Sequence, residues 1–190
     1  MKGTVYIATT VDNKIATPDG GIDFLNDLPP PTEDDTKNEY LSFAQFLASV
    51  DCMVMGRKTF DKVVSFGKDM WVYGKLKIIV QSRDPAKVSI PDHLTETVST
   101  SGEPPNALFE RLESEGFKNV YIDGGSTIQR FLEAGLVTDM HLTRVPVLLG
   151  DGIDLFGSGG KQNTPIKLKA TKTFAYSNGM VMTSYEIIKN

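Results

Sequence analysis

Two glycine-containing segments constrain the fold of this chain more than any other feature. Residues 54–60 read VMGRKTF, and residues 121–127 read YIDGGST. In each segment an apolar run typical of a buried strand ends at glycine, and basic or hydroxyl residues typical of a helix start follow. Free amide groups at a helix start attract anions, so two such turns can bind both ends of one phosphorylated molecule. The pair predicts an enzyme that uses a dinucleotide.

Strands and helices alternate on both sides of these turns. We expect strands at 4–8, 52–55, 77–81, 120–122 and 140–145, and helices near 33–50, 59–66, 107–116 and 126–133. This alternation predicts a largely parallel sheet flanked by helices. No change in composition marks a domain boundary, so residues 1–190 are expected to form a single domain.

The C-terminal third follows a different pattern. Residues 167–174 and 180–187 flank the sequence YSNG at 176–179, and an Asn-Gly pair is a strong signal for a β-hairpin. The sequence therefore predicts an α/β protein that ends in an antiparallel hairpin at the edge of its sheet.

Charge and composition exclude several classes of function. The net charge of −4 argues against a nucleic-acid or acidic-membrane partner. No apolar run is long enough to span a membrane, and the N-terminus lacks the layout of a signal peptide. Cys52 is the only cysteine and lies in an apolar run, which predicts a buried core residue and favours a reducing, cytoplasmic location. Neither His93 nor His141 has a partner at metal-ligand spacing, so no metal site is expected.

The first turn carries two cations directly after its glycine. Gly56 permits close approach of a phosphate, and Arg57 and Lys58 can form charge-assisted hydrogen bonds with it. Thr59 can donate its hydroxyl to a ligand or cap the helix. The alternative for this segment is a solvated basic turn with Thr59 as its cap.

The second turn carries paired glycines, Gly124 and Gly125, before Ser126 and Thr127. Paired glycines allow a positive φ or close approach of a ligand to the backbone. The alternative is a tight strand–helix connection capped by Ser126 or Thr127. Neither turn has the Walker A pattern or the Gly-x-Gly-x-x-Gly fingerprint, so neither a P-loop nor a standard Rossmann fold is expected.

Several motifs, in order, resemble the dihydrofolate reductase superfamily. They are residues 55–60 (MGRKTF), 123–125 (DGG), 139–143 (DMHLT) and 150–152 (GDG) with Phe156. The segment VDNKIA at 11–16 and the segments 124–136 and 146–150 are similar to the branch that contains the reductase domain of the bifunctional riboflavin-biosynthesis enzyme. The resemblance spans residues 4–187. It implies a three-layer α/β fold with a mostly parallel central sheet.

The resemblance also implies an NADPH site. Ala8 and Ile15 would line the nicotinamide pocket, and Thr143 matches a threonine of the active-site strand. Ser82 and Arg83 would contact the phosphate on the adenosine ribose, which favours NADPH over NADH; the alternative for this pair is an exposed turn. In the first turn, after Gly56, the residues Arg57, Lys58 and Thr59 would hold the pyrophosphate and, in part, the adenosine 2′-phosphate. The second turn would pass beneath the pyrophosphate and the nicotinamide side with Gly124, Gly125, Ser126 and Thr127. Family members often pair through their C-terminal strands, which implies a homodimer.

The substrate is the least constrained part of the prediction. The carboxylate that folate reductases place on their first helix has no matching position here. Asp23, in the preceding loop, is the candidate catalytic acid, and the alternative for it is a capping role in that loop. Substitute carboxylates are Asp34, Asp35 and Glu39, for which the alternative is a solvated helix surface. The leading hypothesis is an NADPH-dependent reductase of a small heterocyclic substrate, with 5-amino-6-(5-phosphoribosylamino)uracil of riboflavin biosynthesis as the best named candidate. The alternatives are a dihydrofolate reductase and an NADPH-binding protein without catalysis.

Overall fold

A computed structural model describes residues 1–30, 32, 35, 42–157 and 165–188. In chain order its strands are β1 (Lys2–Thr10), β2 (Lys14–Ala16), β3 (Cys52–Gly56), β4 (Lys77–Gln81), β5 (Val98–Ser101), β6 (Asn119–Asp123), β7 (Asp139–Val145), β8 (Ile153–Asp154), β9 (Lys167–Ala175) and β10 (Val181–Ile188). The α-helices of these residues are α1 (Phe43–Ala48), α2 (Arg57–Ser65), α3 (Pro105–Ser114) and α4 (Gly125–Glu133).

Eight of the strands form one sheet in the order β5-β4-β3-β6-β1-β7-β10-β9. The first six are parallel to one another, whereas β10 runs antiparallel to β7 and β9 antiparallel to β10. The prediction of a mostly parallel sheet that ends in an antiparallel hairpin is confirmed. All six parallel strands therefore end at one edge of the sheet, which we call the carboxyl edge.

Helices cover both faces of the sheet because its central strands are apolar on both sides. Phe46 of α1 and Phe60 of α2 pack in one buried cluster, with Met53, Met55 and Tyr121 of the sheet. Leu108 and Leu112 of α3 and Ile128 and Phe131 of α4 pack in a second cluster on the other side. We call these sides the α1–α2 face and the α3–α4 face. The three-layer arrangement is that expected from the family resemblance.

The observed boundaries differ from the expected ones where local signals compete. The helix expected near 33–50 is described only as α1, which begins after a capping box formed by Ser42 and Gln45. Residues 31, 33, 34 and 36–41, including Asp34 and Glu39, lie outside the described residues. Helices α2 and α4 each begin earlier than expected, at Arg57 and Gly125, because glycine rather than a hydroxyl residue occupies the N-cap position.

Three short strands were not expected from the sequence. Strand β5 is a four-residue run of mixed polarity that pairs with β4. Strands β2 and β8 form a separate pair, and Lys14 of β2 forms an ion pair with Asp154 of β8 at 2.8 Å. A three-residue strand held by a distant partner leaves no periodic pattern, so the sequence predicted only a loop at 15–21.

Cys52 is fully buried at the start of β3, as the sequence predicted. Burial raises the pKa of its thiol to about 12, so almost no thiolate exists at neutral pH. Separately, none of the helices described is both long and apolar enough to cross a membrane.

Candidate cofactor and substrate site

The two glycine turns lie side by side at the carboxyl edge. Strands β3 and β6 are neighbours, with Met55 opposite Asp123, so the turns that follow them meet in space. Helix α2 then leaves on the α1–α2 face and helix α4 on the α3–α4 face. A crevice between helices that diverge from adjacent parallel strands is where open α/β sheets bind their ligands.

Glycine is required in both turns because the turns pack against each other. A Cβ atom on Gly56 would lie 2.8 Å from the hydroxyl oxygen of Thr127. A Cβ atom on Gly124 would collide with the hydroxyl of Thr59, and Gly124 also has a φ of +88°. The same side chains that close these contacts, Thr59 and Thr127, therefore hold the two helix starts together.

Both helix starts lack a side-chain cap. Gly56 and Gly124 occupy the N-cap positions of α2 and α4, and among the described residues no side chain caps the first-turn amides of either helix. The capping roles considered for Thr59, Ser126 and Thr127 are thus not observed. Two sets of unpaired amide groups, each at the positive end of a helix dipole, open at the same edge of the sheet.

A cationic cleft of about 930 Å³ extends from these helix starts to the ends of β4 and β5. Its lining includes most of the residues predicted to bind the cofactor phosphates, namely Gly56, Arg57, Lys58, Thr59, Ser82, Arg83, Ser126 and Thr127. Arg57 pairs with Asp61 at 3.3 Å and Lys87 with Asp84 at 2.8 Å. Lys58 and Arg83 have no ion-pair partner in the described part of the chain. The cleft therefore carries positive charge that a bound anion can neutralise.

Ser82 and Arg83 form the turn that follows β4. The Ser82 hydroxyl accepts a hydrogen bond from the Asp84 amide at 3.1 Å and donates one to the Asp84 carbonyl at 3.0 Å. This turn is fixed by its own side chain, while Arg83 is exposed and borders the cleft.

Ala8, Ile15 and Thr143 are not among the residues that line this cleft. Ala8 and Thr143 are opposite each other on β1 and β7, on the α1–α2 face. Ile15 packs against the start of α4, since its Cδ1 atom is 2.7 Å from a Cβ built on Gly125. Strands β3, β6, β1 and β7 are consecutive in the sheet, so Ala8 and Thr143 lie near the same carboxyl edge as the two glycine turns.

Aromatic rings cover the sheet next to Ala8 and Thr143. The rings of Tyr6 and Phe46 stack with centroids 4.8 Å apart, and the His141 ring lies 5.8 Å from that of Phe46. Burial lowers the pKa of His141, whose Nδ1 is 2.8 Å from the Ser184 hydroxyl. His141 shares the face of Thr143, because side chains alternate along β7. Phe46 is buried, whereas Tyr6 and His141 are partly exposed, so these two rings contribute a neutral aromatic surface.

Asp123 is a further candidate residue of the functional site. From the sequence it was noted only as the first residue of the DGG motif at 123–125. It ends β6 on the α1–α2 face, two residues after the buried Tyr121, whose hydroxyl donates to the Tyr6 carbonyl at 3.0 Å. Burial raises the pKa of Asp123 to about 6, although a hydrogen bond from the Gly124 amide opposes the shift. Some of its surface stays accessible at the strand end. Asp123 is thus a carboxyl group that can hold a proton near neutral pH.

Asp23, the acid expected from the sequence, lies in a different setting. It is exposed and begins a short 3-10 turn, Asp23–Leu25, that buries Phe24. Asp35 is also not a free carboxylate, since it is buried and accepts hydrogen bonds from the amides of Thr32 and Ser177 at 2.8 and 3.0 Å. These bonds and the Ser177 hydroxyl lower the pKa of Asp35. Asp35 therefore links Thr32 to Ser177, which lies in the turn between β9 and β10.

This fold is that of an α/β protein with a cationic crevice at the switch point of its parallel sheet. The sequence profile of the RibD C-terminal domain matches residues 1–182. The chain belongs to the RibD C-terminal domain family, and the resemblance to the riboflavin-biosynthesis reductase branch is confirmed.

Similar proteins cover the whole chain. The uncharacterized protein YwjB of Bacillus subtilis (strain 168) is 30% identical over 174 residues, which are 91% of this chain and 92% of YwjB. A crystal structure from Shewanella sp. PV-4, named as a candidate riboflavin biosynthesis protein, shares 32% identity and a TM-score of 0.86, with full coverage of both chains.

A bifunctional enzyme shares the fold over part of its length. The Thermotoga maritima diaminohydroxyphosphoribosylaminopyrimidine deaminase/5-amino-6-(5-phosphoribosylamino)uracil reductase has a TM-score of 0.68 and 16% identity. The match covers 98% of this chain but 56% of that enzyme. The fold is that of riboflavin-biosynthesis-type reductases.

Proposed function

We propose that this protein is an NADPH-dependent reductase of a small heterocyclic substrate. The observation that carries the proposal is the pair of uncapped helix starts that open on one cationic cleft. A dinucleotide carries phosphate charge near its middle, and the two sets of amide groups match that requirement. We also propose that the chain acts as a single domain in the reducing cytoplasm, where its buried Cys52 stays a thiol.

The residues of the cleft fit the parts of such a cofactor. Arg57, Lys58 and the amides at the starts of α2 and α4 would hold the pyrophosphate, while Ser82 and Arg83 border the end where the adenosine ribose phosphate would lie. Ala8, Ile15 and Thr143 would bound the nicotinamide end. Bound there, the cofactor supplies the hydride. The protein's contribution is to align the reacting groups and keep water away from them.

Reduction of a C=N or C=O bond also consumes a proton. We propose that Asp123 rather than Asp23 supplies it, because the raised pKa lets the Asp123 carboxyl hold a proton near neutral pH. Asp123 lies on the same face as Ala8 and Thr143, next to the neutral aromatic surface. Asp23 is the weaker candidate because it is exposed.

The substrate that best fits this proposal is 5-amino-6-(5-phosphoribosylamino)uracil. The reductase activity of the Thermotoga maritima enzyme is named after this compound. Dihydrofolate is the second candidate, because the sequence motifs resemble those of the dihydrofolate reductase superfamily. Binding without catalysis is a third possibility, and Asp123 argues against it.

The test compares cofactor binding and cofactor oxidation. We expect purified protein to bind NADPH more tightly than NADH by calorimetry, and Arg57→Ala to weaken NADPH binding by about 1–3 kcal/mol, the scale of a charged hydrogen bond. Loss of NADPH absorbance is then followed with the ribosylaminouracil and with dihydrofolate in parallel. Equal affinity for the two cofactors would contradict the NADPH assignment, and binding without oxidation of NADPH would favour the binding-only function.

We also propose that two copies pair through the β9–β10 hairpin. On the α3–α4 face, Leu168 and Val181 are 41% and 38% exposed, and Tyr185 and Ile187 beside them pack only partly against the core. Leu168 and Val181 therefore contribute an exposed apolar surface of the kind that interfaces bury.

Val181→Glu is therefore expected to convert a dimer into a monomer, since it places a charge within that surface. Ile188→Glu is the matched control, because Ile188 is 46% exposed on the opposite face of the same strand. Light scattering gives the mass of each variant. A monomeric unmodified protein, or equal dissociation by both substitutions, would overturn the proposed interface.

A further inference from the structure

A buried glutamine lies at the end of β4, directly before Ser82. Gln81 is only 5% exposed, and its side-chain amide makes two hydrogen bonds. Its Nε2 donates to the carbonyl of Glu103 at 3.3 Å, and its Oε1 accepts from Nη2 of Arg130 at 3.3 Å. The first bond fixes the amide orientation, so that its oxygen is directed at Arg130.

Arg130 is thereby held at the border of the cationic cleft. It lies on α4 one turn after Ser126, so both residues are on the side of the helix that faces the cleft. The Arg130 side chain has no acidic partner among the residues that the structure describes. Its charge is consequently available to a ligand, while the bond to a neutral amide fixes the side chain without cancelling that charge.

We infer that Arg130, positioned by Gln81, determines the specificity of this cleft for a cofactor with a phosphate on its adenosine ribose. The inference rests on the proposed NADPH-dependent function. A ribose phosphomonoester carries close to two negative charges at neutral pH, whereas an unmodified ribose carries none. Arg83 and Arg130 border the same cleft beside Ser82, one from the β4 turn and the other from α4. Two guanidinium groups that approach from different elements suit a dianion and give no advantage to a neutral diol.

Gln81 has a different role from Arg130. The Gln81 side chain is buried and already makes two hydrogen bonds, so it acts on the ligand through Arg130 and is a positioning residue. Replacing Gln81 by Leu keeps a side chain of similar size but removes the acceptor for Arg130. The guanidinium keeps its charge and loses its fixed position, which predicts a smaller effect than loss of Arg130 itself.

The test measures binding by calorimetry for NADPH, NADH, 2′,5′-ADP and 5′-ADP. For Arg130→Gln we expect the affinities for NADPH and 2′,5′-ADP to fall by roughly tenfold or more, while those for NADH and 5′-ADP change by less than about twofold. Gln81→Leu is expected to lower the same two affinities by a smaller factor. Arg144→Gln, which removes an exposed arginine outside the cleft, is the control and should leave all four unchanged.

The outcomes separate the role of Arg130 from the proposed NADPH-dependent function. If Arg130→Gln weakens phosphorylated and unphosphorylated ligands equally, Arg130 contacts another part of the cofactor and the inference is wrong. If it changes neither, Arg130 does not contact the ligand. If the unmodified protein binds neither NADPH nor 2′,5′-ADP, the proposed function fails, and the inference fails with it. Melting temperatures of the variants establish that each one is folded.

Discussion

Replacing Asp123 by Asn is expected to lower kcat by about 10²- to 10⁴-fold, the usual range for loss of a general acid. Asparagine keeps the size of the side chain and most of its hydrogen-bonding capacity, but its amide cannot donate a proton to a reduced substrate. The affinity for NADPH should stay within about twofold, because the cationic cleft is lined by other residues. Stopped-flow oxidation of NADPH at saturating substrate gives the rate.

The same substitution is expected to stabilise the protein at neutral pH. Burial raises the pKa of Asp123 from 3.8 to about 6, so above pH 6 the native state carries a charge that the unfolded chain solvates better. The uncharged asparagine side chain removes that cost, which should raise the free energy of unfolding by about 1–3 kcal/mol. A variant that loses activity while gaining stability is not explained by misfolding.

The sign of the pH dependence follows from the raised pKa. Relative to the Asn variant, the unmodified protein is most stable below pH 4, where Asp123 is protonated in both states, and loses stability as pH rises to about 6. Turnover that needs the protonated carboxyl should likewise decline as pH rises through about 6. Asp23→Asn is the matched control, because Asp23 is exposed. Full activity in Asp123→Asn, with loss of activity in Asp23→Asn, would return the proton donor to Asp23.

Replacing Gly124 by Ala is expected to destabilise the fold by about 2–6 kcal/mol. Its backbone has φ +88° and ψ 129°, a conformation that costs other residues about 1–3 kcal/mol. The added Cβ would also collide with the Thr59 hydroxyl, and overpacking of this kind costs about 1–3 kcal/mol more. Because the collision separates the starts of α2 and α4, NADPH binding should weaken as well. Urea unfolding and calorimetry measure the two effects.

Two further variants separate the collision from the backbone strain. Gly67 has a similar φ of +92° with an extended ψ, but a Cβ there has no atom within 4 Å, so Gly67→Ala reports the strain alone. Combining Gly124→Ala with Thr59→Ala removes the colliding hydroxyl and should recover part of the stability. If Gly67→Ala and Gly124→Ala cost the same, the two turns are not tightly packed and this part of the account is wrong.

The fold could be predicted from sequence wherever a local pattern coincides with a local cause. The apolar run of β3, the Asn-Gly turn at 178–179 and the glycines at both helix starts each have one clear physical meaning. Strands β2, β5 and β8 could not be predicted, because they are short and are held by partners far away in the chain.

The candidate site was only partly predictable, because some of its properties depend on residues far away in the chain. The residues proposed to bind phosphate belong to turns that the sequence displays as motifs, and most of them line one cleft in the structure. The raised pKa of Asp123 depends on the atoms that bury it and could not be read from the letters DGG. Arg130 occupies an ordinary position on an amphipathic helix, and only its contact with the buried Gln81 distinguishes it. Asp23 was predicted as the catalytic acid from its position in a loop, and that position says nothing about how deeply a side chain is buried.

The central claim, that the two helix starts bind a dinucleotide phosphate, is tested most directly by NMR of the backbone amides. On titration with NADPH we expect large, saturable shifts for the amides of residues 57–59 and 125–127, because these unpaired groups would donate hydrogen bonds to the pyrophosphate. The amide of Gly116, at the far end of α3, should not move. NADPH binding that leaves the amides of 57–59 and 125–127 unshifted would contradict the account.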